Sequence, residues 1–451
     1  MQHSKGSGQA IPAVLALEPL WTREFVALNL ICLLAFGSLS IFYGFYAFLE
    51  VCGVAQVWCG PLISLFSVSA LLLRPYIATH LKPKIIIPAL ALGQCVSILA
   101  LLSYSSLGNT WSLVLVRLIH GAGHVLTLSA AVAMLALIMP PSRSGEGFGI
   151  NSLAALIPNA LVPYLAETFF PQAISGAIYT GGALFMLPGL PALLLLRGAA
   201  PRTPASWSGP GKAAPAGTWA QIRQGISQPG APALLGAFGL AILSIVMLFF
   251  FLKPIAMMVN PNPDCLYSLG AQSEKRICLV RQGEDPGLFL FLVTSMIISV
   301  RALFSRFFDK VDRKTLCAAG LSAMAAGPVL FALVPQTWAF IAAALIFGLG
   351  MGVATPLLTA LMFTATPPAL RGLNTNLMLQ MMDVAHVAGP LMGGLLMSFA
   401  ASGQAAVSGK ALLLASAAAP FAAALLVGRW VPRQSASGAM ARVAGAGTVG
   451  R

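Results

Sequence analysis

The fold of this chain is decided by stretches such as Ala233–Leu252, which reads ALLGAFGLAILSIVMLFFFL and holds no charged side chain. A helix that crosses the hydrocarbon of a bilayer needs about 20 residues of this kind. A second run, Phe25–Phe48, is also continuous and uncharged. Strands of a membrane β-barrel instead alternate apolar and polar residues over about 10 positions. The chain is therefore predicted to cross a membrane as helices.

The composition agrees with this prediction. Of the 451 residues, 58% are hydrophobic and 8% are charged, whereas a soluble domain carries about 25% charged residues. This excludes a large soluble enzyme, a disordered chain and a secreted disulfide scaffold. Twelve spans would use roughly 240–300 residues and leave short loops and two tails. The predicted fold class is an all-α integral membrane protein with twelve transmembrane helices.

The chain is predicted to divide into two six-helix bundles joined by a linker rich in Pro, Gly and Ser. The predicted units are an N-terminal tail at 1–23, a bundle at 24–196, a cytoplasmic linker at 197–231, a bundle at 232–430 with an extracytoplasmic insert at about 260–286, and a disordered tail at 431–451.

An internal repeat relates the two bundles. Adding 227 to a position in the first half repeatedly gives the same residue type in the second half: Arg74 corresponds to Arg301, Gly121 to Gly348 and Pro163 to Pro390. One unbroken offset over four consecutive spans predicts two six-helix pseudo-repeats. Alternating-access transporters are built in this way, with their binding site where the repeats meet.

The charge pattern sets the orientation. The net charge is 26 − 12 = +14, which in a soluble protein would suggest nucleic acid as a partner. Basic residues also accumulate in cytoplasmic loops of membrane proteins, and with twelve spans that rule explains the excess. We predict a multi-pass protein of the cell membrane (the inner membrane in a Gram-negative source), with both termini cytoplasmic, lipid around it and no nucleic acid bound.

One acidic residue stands near the middle of a predicted span. Asp383 lies about ten residues into the eleventh span, which at 1.5 Å per residue is close to the midplane. His386 follows one turn later on the same face. Ionisable groups in hydrocarbon are costly and therefore mark functional sites. Asp383 and His386 are predicted to couple protons or contact substrate; a fixed structural ion pair at Asp383 is the alternative.

The fourth span carries a basic stripe. Arg117, His120 and His124 follow each other at helical spacings of three and four, and such a stripe would attract an anion or relay protons. Packed neutral histidines bonded to carbonyls are the alternative. Asn159 corresponds to His386 under the repeat and joins the candidate site.

The cysteines indicate no metal site, because no metal-ligand spacing is present. Cys265 and Cys278 lie in the predicted insert, and they are either a disulfide or two free thiols. No cofactor is predicted.

Residues 305–314 read SRFFDKVDRK and lie between the second and third spans of the second half. They resemble G-x-x-x-D-[RK]-x-x-[RK]-[RK], the signature loop of the major facilitator superfamily. The resemblance implies a cytoplasmic gate whose residues are Arg301, Arg306, Asp309, Lys310, Arg313, Lys314 and Arg74. The first-half counterpart, Ala78–Lys84, has Lys82 in the place of the acid.

Two further motifs carry the resemblance. Arg117–Gly123 (RLIHGAG) is similar to the R-x-x-x-G of proton-coupled members, and Gly389–Gly394 (GPLMGG) is similar to G-P-x-x-G-G of exporters. The resemblance implies a monomeric, proton-coupled secondary transporter that exports a small organic compound, an antiporter rather than an enzyme. The alternatives are proton-coupled uptake of a metabolite and, from another class, a membrane sensor or enzyme that transports nothing.

Overall fold

A computed structural model describes residues 19–81, 83–106, 110–139, 144–169, 176–197, 218–259, 284–304, 311–367, 370–398 and 405–432. In these residues the structure consists of helices joined by short turns and holds no β-strand. The α-helices are α1 (Arg23–Ser40), α2 (Phe45–Val51), α3 (Gln56–His80), α4 (Ile86–Ser103), α5 (Thr110–Ile138), α6 (Ser144–Phe169), α7 (Ala177–Met186), α8 (Gly189–Ala192), α9 (Thr218–Ile226), α10 (Ala231–Val259), α11 (Pro286–Phe304), α12 (Arg313–Leu333), α13 (Thr337–Ala365), α14 (Arg371–Ser398) and α15 (Ala405–Trp430).

These helices form twelve membrane spans in the described part of the chain. Ten segments are long and apolar enough to cross a bilayer, among them Arg23–Val51, which joins α1 and α2 through a 3₁₀ turn. The other two are α6, with its apolar part at Ile150–Ala166, and α14, which is more polar because it carries Gln380, Asp383 and His386. The predicted all-α membrane fold with twelve spans is confirmed.

The helices divide into two bundles. Helices α1–α8 pack together as the first bundle, and α10–α15 as the second bundle. Helix α9 lies inside the predicted linker and packs against α14, where Asn374 Nδ2 donates to the Gly225 carbonyl oxygen at 3.3 Å. Both ends of the described chain and α9 lie on one side of the membrane, here called the terminal side; the opposite side is the far side.

Glycine contacts inside the bundles confirm the internal repeat. A Cβ added to Gly121 would contact the Phe66 carbonyl oxygen, and a Cβ added to Gly348 would lie 2.6 Å from the Val293 carbonyl oxygen. These two contacts are related by the offset of 227 at both partners (348 − 121 and 293 − 66). The same close approach therefore joins α3 to α5 and α11 to α13.

The contacts between the bundles obey the same symmetry. Helix α3 packs against α14, and α11 packs against α6. A Cβ on Gly60 would contact the Pro390 carbonyl oxygen, and a Cβ on Gly287 would lie 2.5 Å from the Pro163 carbonyl oxygen. Both glycines lie near the far-side ends of their helices, where no side chain separates the backbones. On the same side the rings of Tyr164 and Phe291 stack at a centroid distance of 5.1 Å.

The apolar cores show on which side the bundles join. One core combines the second bundle with residues from the far half of the first bundle, such as Phe45, Leu62 and Tyr104. The terminal half of the first bundle has a separate core, which includes Leu28 and Met134 and, among described residues, contains none from the second bundle. The apolar contacts between the bundles are therefore concentrated on the far side.

Candidate functional site

An ion pair crosses the interface between the bundles. Arg74 Nε lies 2.6 Å from Asp383 Oδ2, and Arg74 Nη2 donates to Asp383 Oδ1 at 2.9 Å. The geometry is bidentate, the strongest arrangement for this pair of groups. The Asp383 side chain is 5% exposed and that of Arg74 is 19% exposed, so the carboxylate is covered while the guanidinium keeps an open edge.

Helix geometry explains why these two residues meet. Asp383 is twelve positions after Arg371, about 18 Å along α14, and therefore lies near the middle of the bilayer. Arg74 is nearer the terminal end of α3. Side chains lean toward the N-terminus of their helix, so the long Arg74 side chain extends from its position toward the middle of the membrane. Sequence analysis selected both residues but assigned them to different sites.

Two more hydrogen bonds align α3 with α14. Gln380 Nε2 donates to the Leu71 carbonyl oxygen at 3.0 Å, and Ser64 Oγ donates to the Val387 carbonyl oxygen at 2.8 Å. Sequence reasoning did not identify Gln380 or Ser64. A signal was present for Gln380, because it lies one turn before Asp383 on the most polar span.

Two histidines lie around the ion pair. His386 is half-buried, and its Nδ1 is 2.8 Å from the Met382 carbonyl oxygen; since a carbonyl only accepts, Nδ1 carries the proton and Nε2 is left to exchange one. His124 on α5 lies within electrostatic reach of Arg74 and His386. Asp383, His386 and His124 of the predicted site therefore come together, with Arg74 in addition.

Arg117 lies elsewhere, in an aromatic cage inside the first bundle. Its Nε donates to the Leu62 carbonyl oxygen at 3.0 Å and its Nη2 to the Ile63 carbonyl oxygen at 2.7 Å. Its guanidinium carbon is 4.5 Å from the Phe45 ring centroid, and the rings of Phe42 and Phe66 also enclose it. The side chain is 1% exposed, so Arg117 braces α5 against α3.

His120 is also part of this cage. It is buried against the rings of Phe42, Phe66 and Tyr104, with Nδ1 3.5 Å from the Tyr104 hydroxyl. The predicted stripe on the fourth span is thus divided by the tertiary structure. His124 packs against the rings of Phe36 and Phe66 within electrostatic reach of Arg74, whereas Arg117 and His120 lie in the aromatic cage.

Asn159 is held within the first bundle. Ser40 Oγ donates to Asn159 Oδ1 at 2.6 Å, and about two turns nearer the terminal side Asn151 Nδ2 donates to Asn29 Oδ1 at 3.1 Å. These pairs join α1 to α6. The contacts of the described residues do not connect Asn159 with His386, the residue that the repeat assigns to it.

The predicted gate residues are separated by the structure. Arg301, the repeat counterpart of Arg74, donates from Nη2 to Thr355 Oγ1 at 3.1 Å inside the second bundle. Arg313 and Lys314 begin α12, whose N-cap is Asp312. Other predicted residues lie outside the described residues: Arg306, Asp309, Lys310, Cys265 and Cys278.

The repeat explains why Arg301 and Arg74 differ. The counterpart of Asp383 in the first half is position 383 − 227 = 156, which is Leu156. Arg301 therefore has no acid at the symmetry-related position and bonds to a hydroxyl of its own bundle. The ion pair occupies one of two pseudo-equivalent interfaces.

Comparisons with known proteins identify the fold. The sequence matches no protein-family model and no curated protein sequence. Among solved structures it is similar to the nucleoside transporter NupG, with a TM-score of 0.67 and 12% identity, covering 92% of this chain and 100% of that one. A D-xylose-proton symporter gives a TM-score of 0.65 and 16% identity, covering 91% and 98%.

A third similar structure is a bacterial homologue of the human lysosomal transporter Spinster in an inward-facing, unoccupied conformation. Its TM-score is 0.66 at 14% identity, and the likeness covers 93% of this chain and 99% of that one. At such identities the likeness establishes the fold. The protein is a multi-pass membrane protein with the major facilitator fold.

Proposed function

We propose that this chain is a secondary active transporter that moves a small organic molecule by alternating access and is coupled to protons at the Arg74–Asp383 pair. The observation that carries the proposal is the Arg74–Asp383 pair itself. The pair is bidentate and its carboxylate is buried. It joins the two bundles, which have to separate if the far side is to open. Solved proteins with this fold that are named as transporters support it.

The pair is suited to act as a proton-sensitive lock. Removing one partner of a buried ion pair costs about 3–5 kcal/mol, because the other charge is left without compensation. A proton on Asp383 neutralises the carboxylate and removes the attraction that holds α14 to Arg74. The lock therefore holds when Asp383 is ionised and loosens as the pH falls.

The charged surroundings of the pair are few. His124 of α5 and His386 of α14 are the titratable neighbours within reach. Helix α13 carries no charged residue, and on α10 and α15 the charged residues lie toward the helix ends: Lys253, Lys410 and Arg429. Protonation of the two histidines would add positive charge beside Arg74. It would weaken the ion pair less than protonation of Asp383 does, because the carboxylate would keep its charge.

The proposed orientation places the terminal side in the cytoplasm of a cell membrane. Basic residues at the terminal ends of described spans, and one on α9, support it under the positive-inside rule: Arg23, Arg197, Arg313 and Arg429, and Arg223 of α9. The gate predicted at Arg306, Asp309 and Lys310, a monomeric state, and export as the direction of transport remain predictions from the sequence.

Purified protein in liposomes tests the proposal. The liposomes are given a mixture of small organic metabolites with and without an acid-outside pH gradient, and their contents are measured by mass spectrometry. We expect the gradient to drive accumulation or depletion of at least one compound. Asp383→Asn should abolish the gradient-driven part while keeping exchange down a concentration gradient.

The matched control is Asp312→Asn, which changes another acid to its amide but keeps an N-cap residue on α12; it should behave as the wild type. An Asp383→Asn protein that still responds fully to the pH gradient would contradict the proposal. Vesicles of both orientations separate the directions: accumulation only in right-side-out vesicles excludes export.

A further inference from the structure

A cavity of about 490 Å³ lies on the terminal side, where α9, α10 and α15 come together. Its volume falls within the range of sites that bind small molecules, about 300–1,000 Å³. The turn after α9 lines it with Ser227 and Gln228, the first turn of α10 with Ala233, and the last turns of α15 with Leu426 and Trp430. None of its lining residues is acidic. The cavity lies at the ends of spans and is therefore separate from the ion pair near the midplane.

The backbone fixes the turn that forms one wall of the cavity. Gly230 has a φ of 80°, a conformation that glycine adopts far more readily than other residues. A Cβ on Gly230 would lie 3.0 Å from Pro432 Cδ, just after α15. At the other end of the turn, the Gly225 carbonyl oxygen accepts from Asn374 of α14. The end of the linker is thus held against both α14 and α15.

The cavity lies at the depth where the hydrocarbon of a bilayer gives way to lipid headgroups. Trp430 is the last residue of the α15 span and is 63% exposed, and tryptophans concentrate at this level of membrane proteins. Toward the middle of the membrane, Phe421 and Leu425 lie one helical turn apart and are exposed on α15. A molecule in the cavity therefore has polar surroundings on one side and a lipid-facing apolar surface on the other.

Two arginines give the cavity a positive charge. The Arg429 guanidinium carbon is 5.7 Å from the Trp430 ring centroid, so the charge lies over a wall of the cavity. Arg223 is three and four positions before Ile226 and Ser227, which line the cavity, and therefore shares their face of α9. Both arginines are exposed, and the described residues place no carboxylate on either. A guanidinium matches a phosphate group in charge and in bidentate geometry.

We propose that this cavity binds an anionic phospholipid of the terminal-side leaflet, with the phosphate on Arg429 and Arg223, the headgroup in the cavity and an acyl chain along Phe421 and Leu425. A free phosphate would use the arginines but not the apolar surface. A zwitterionic lipid would bring a cationic group toward two arginines. The bound lipid connects the linker helix α9 to α10 and α15, and the inference does not depend on transport.

Native mass spectrometry of the purified, delipidated full chain in a neutral detergent tests this inference. The probes are dioleoylphosphatidylglycerol, which is anionic, and dioleoylphosphatidylcholine, which has the same acyl chains and a zwitterionic headgroup. Each arginine near a membrane surface favours an anionic lipid by about a factor of five. We expect one copy of the phosphatidylglycerol to be retained, with an affinity about tenfold or more above that of the phosphatidylcholine.

Variants locate the binding. Arg223→Gln combined with Arg429→Gln should weaken phosphatidylglycerol binding about tenfold or more, and because both side chains are exposed the unfolding temperature without lipid should not change. Ser227→Trp fills the cavity while keeping both arginines, and it should also prevent retention of the lipid. Arg197→Gln is the matched control: it removes an exposed arginine on the same side, at the end of the first bundle, and should bind as the wild type does.

Thermal unfolding separates the lipid from a free anion, because a ligand of the native state raises the unfolding temperature. We expect phosphatidylglycerol to raise it and inorganic phosphate to leave it unchanged. Equal stabilisation by inorganic phosphate, or equal retention of the two lipids, overturns the inference. So does undiminished phosphatidylglycerol binding in the double variant or in Ser227→Trp, or a loss in Arg197→Gln as large as that in the double variant.

Discussion

At the scale of the residue, neighbours decide what a buried arginine does. Arg74 and Arg301 are related by the internal repeat, yet Arg74 bonds to Asp383 across the bundles and Arg301 bonds to Thr355 within its bundle. Arg117 has neither kind of partner and is held by carbonyls and rings. Among these three arginines, only Arg74 bonds to a carboxylate, the group on which the proposed proton coupling depends.

The role of Arg117 leads to a prediction about stability. Arg117→Met should lower the unfolding temperature, since it removes two charge-assisted hydrogen bonds and three cation–π contacts, a loss of roughly 3–5 kcal/mol. The folded fraction should keep the pH dependence of transport. Thermal unfolding in detergent and liposome transport measure the two properties.

Arg117→Lys is the companion variant, because it keeps the charge but not the fork that reaches both carbonyls. It should fall between the wild type and Arg117→Met in stability. A stable Arg117→Met protein without pH dependence would instead support the coupling role that the sequence predicted for this residue.

At the scale of the element, glycines control how closely α3 and α14 approach. The motif Gly389–Gly394, which is similar to an exporter motif, places Gly394 against Gly60 of α3, and Gly393 against the Phe251 ring of α10. Each contact leaves no room for a Cβ. The motif therefore serves here as a packing surface on the far side, where the bundles join.

A methyl group at this contact should favour separation of the bundles. In Gly60→Ala the new Cβ would meet the Pro390 carbonyl oxygen, and overpacking of this kind costs about 1–3 kcal/mol. The native Cys59 thiol is fully buried beside it in the far-side core. We expect maleimide to label Cys59 several-fold faster in Gly60→Ala, as read by mass spectrometry of the labelled peptide.

Gly428→Ala is the control, because a Cβ at Gly428 of α15 has nothing within 4 Å. It should label like the wild type and gain up to about 1 kcal/mol from helix propensity. Unchanged labelling of Cys59 in Gly60→Ala would show that this contact does not hold the far side closed.

At the scale of the whole molecule, two symmetric interfaces close the far side, and one of them carries the ion pair. Helices α3 and α14 hold Arg74 and Asp383, while the related α11 and α6 meet through apolar groups such as Tyr164 and Phe291. Under the proposed function, this asymmetry would couple one interface to protons and leave the other uncoupled. Movement of the bundles requires both to open.

Cross-linking tests this movement. Cysteines at Tyr164 and Phe291, joined by a short thiol cross-linker in a chain whose native cysteines are replaced by serine, should stop transport because the far side no longer opens. The control pair, Phe331 and Phe340, also has a ring-centroid distance of 5.1 Å but lies between α12 and α13 of one bundle. Its cross-link should leave transport intact; transport that survives the first cross-link would contradict alternating access.

The sequence predicted much of the fold because the governing effects are local. An apolar run such as Ala233–Leu252 has to form a helix in lipid, whatever it packs against. The offset of 227 likewise identified the repeat before any contact was known, and the Gly121 and Gly348 contacts confirm it. The site was predicted in part: Asp383, His386 and His124 come together, while Arg117 and Asn159 are bound within the first bundle.

What the sequence determined by itself is therefore the class of protein, the helices, the duplication and the costly polar residues among them, since hydrophobicity and periodicity are properties of short segments. Only the tertiary structure decided that Arg74 faces Asp383, 309 positions away in the chain. That pairing depends on the register of two helices from different bundles and on the direction in which their side chains lean, and neither is encoded in the local pattern of either span.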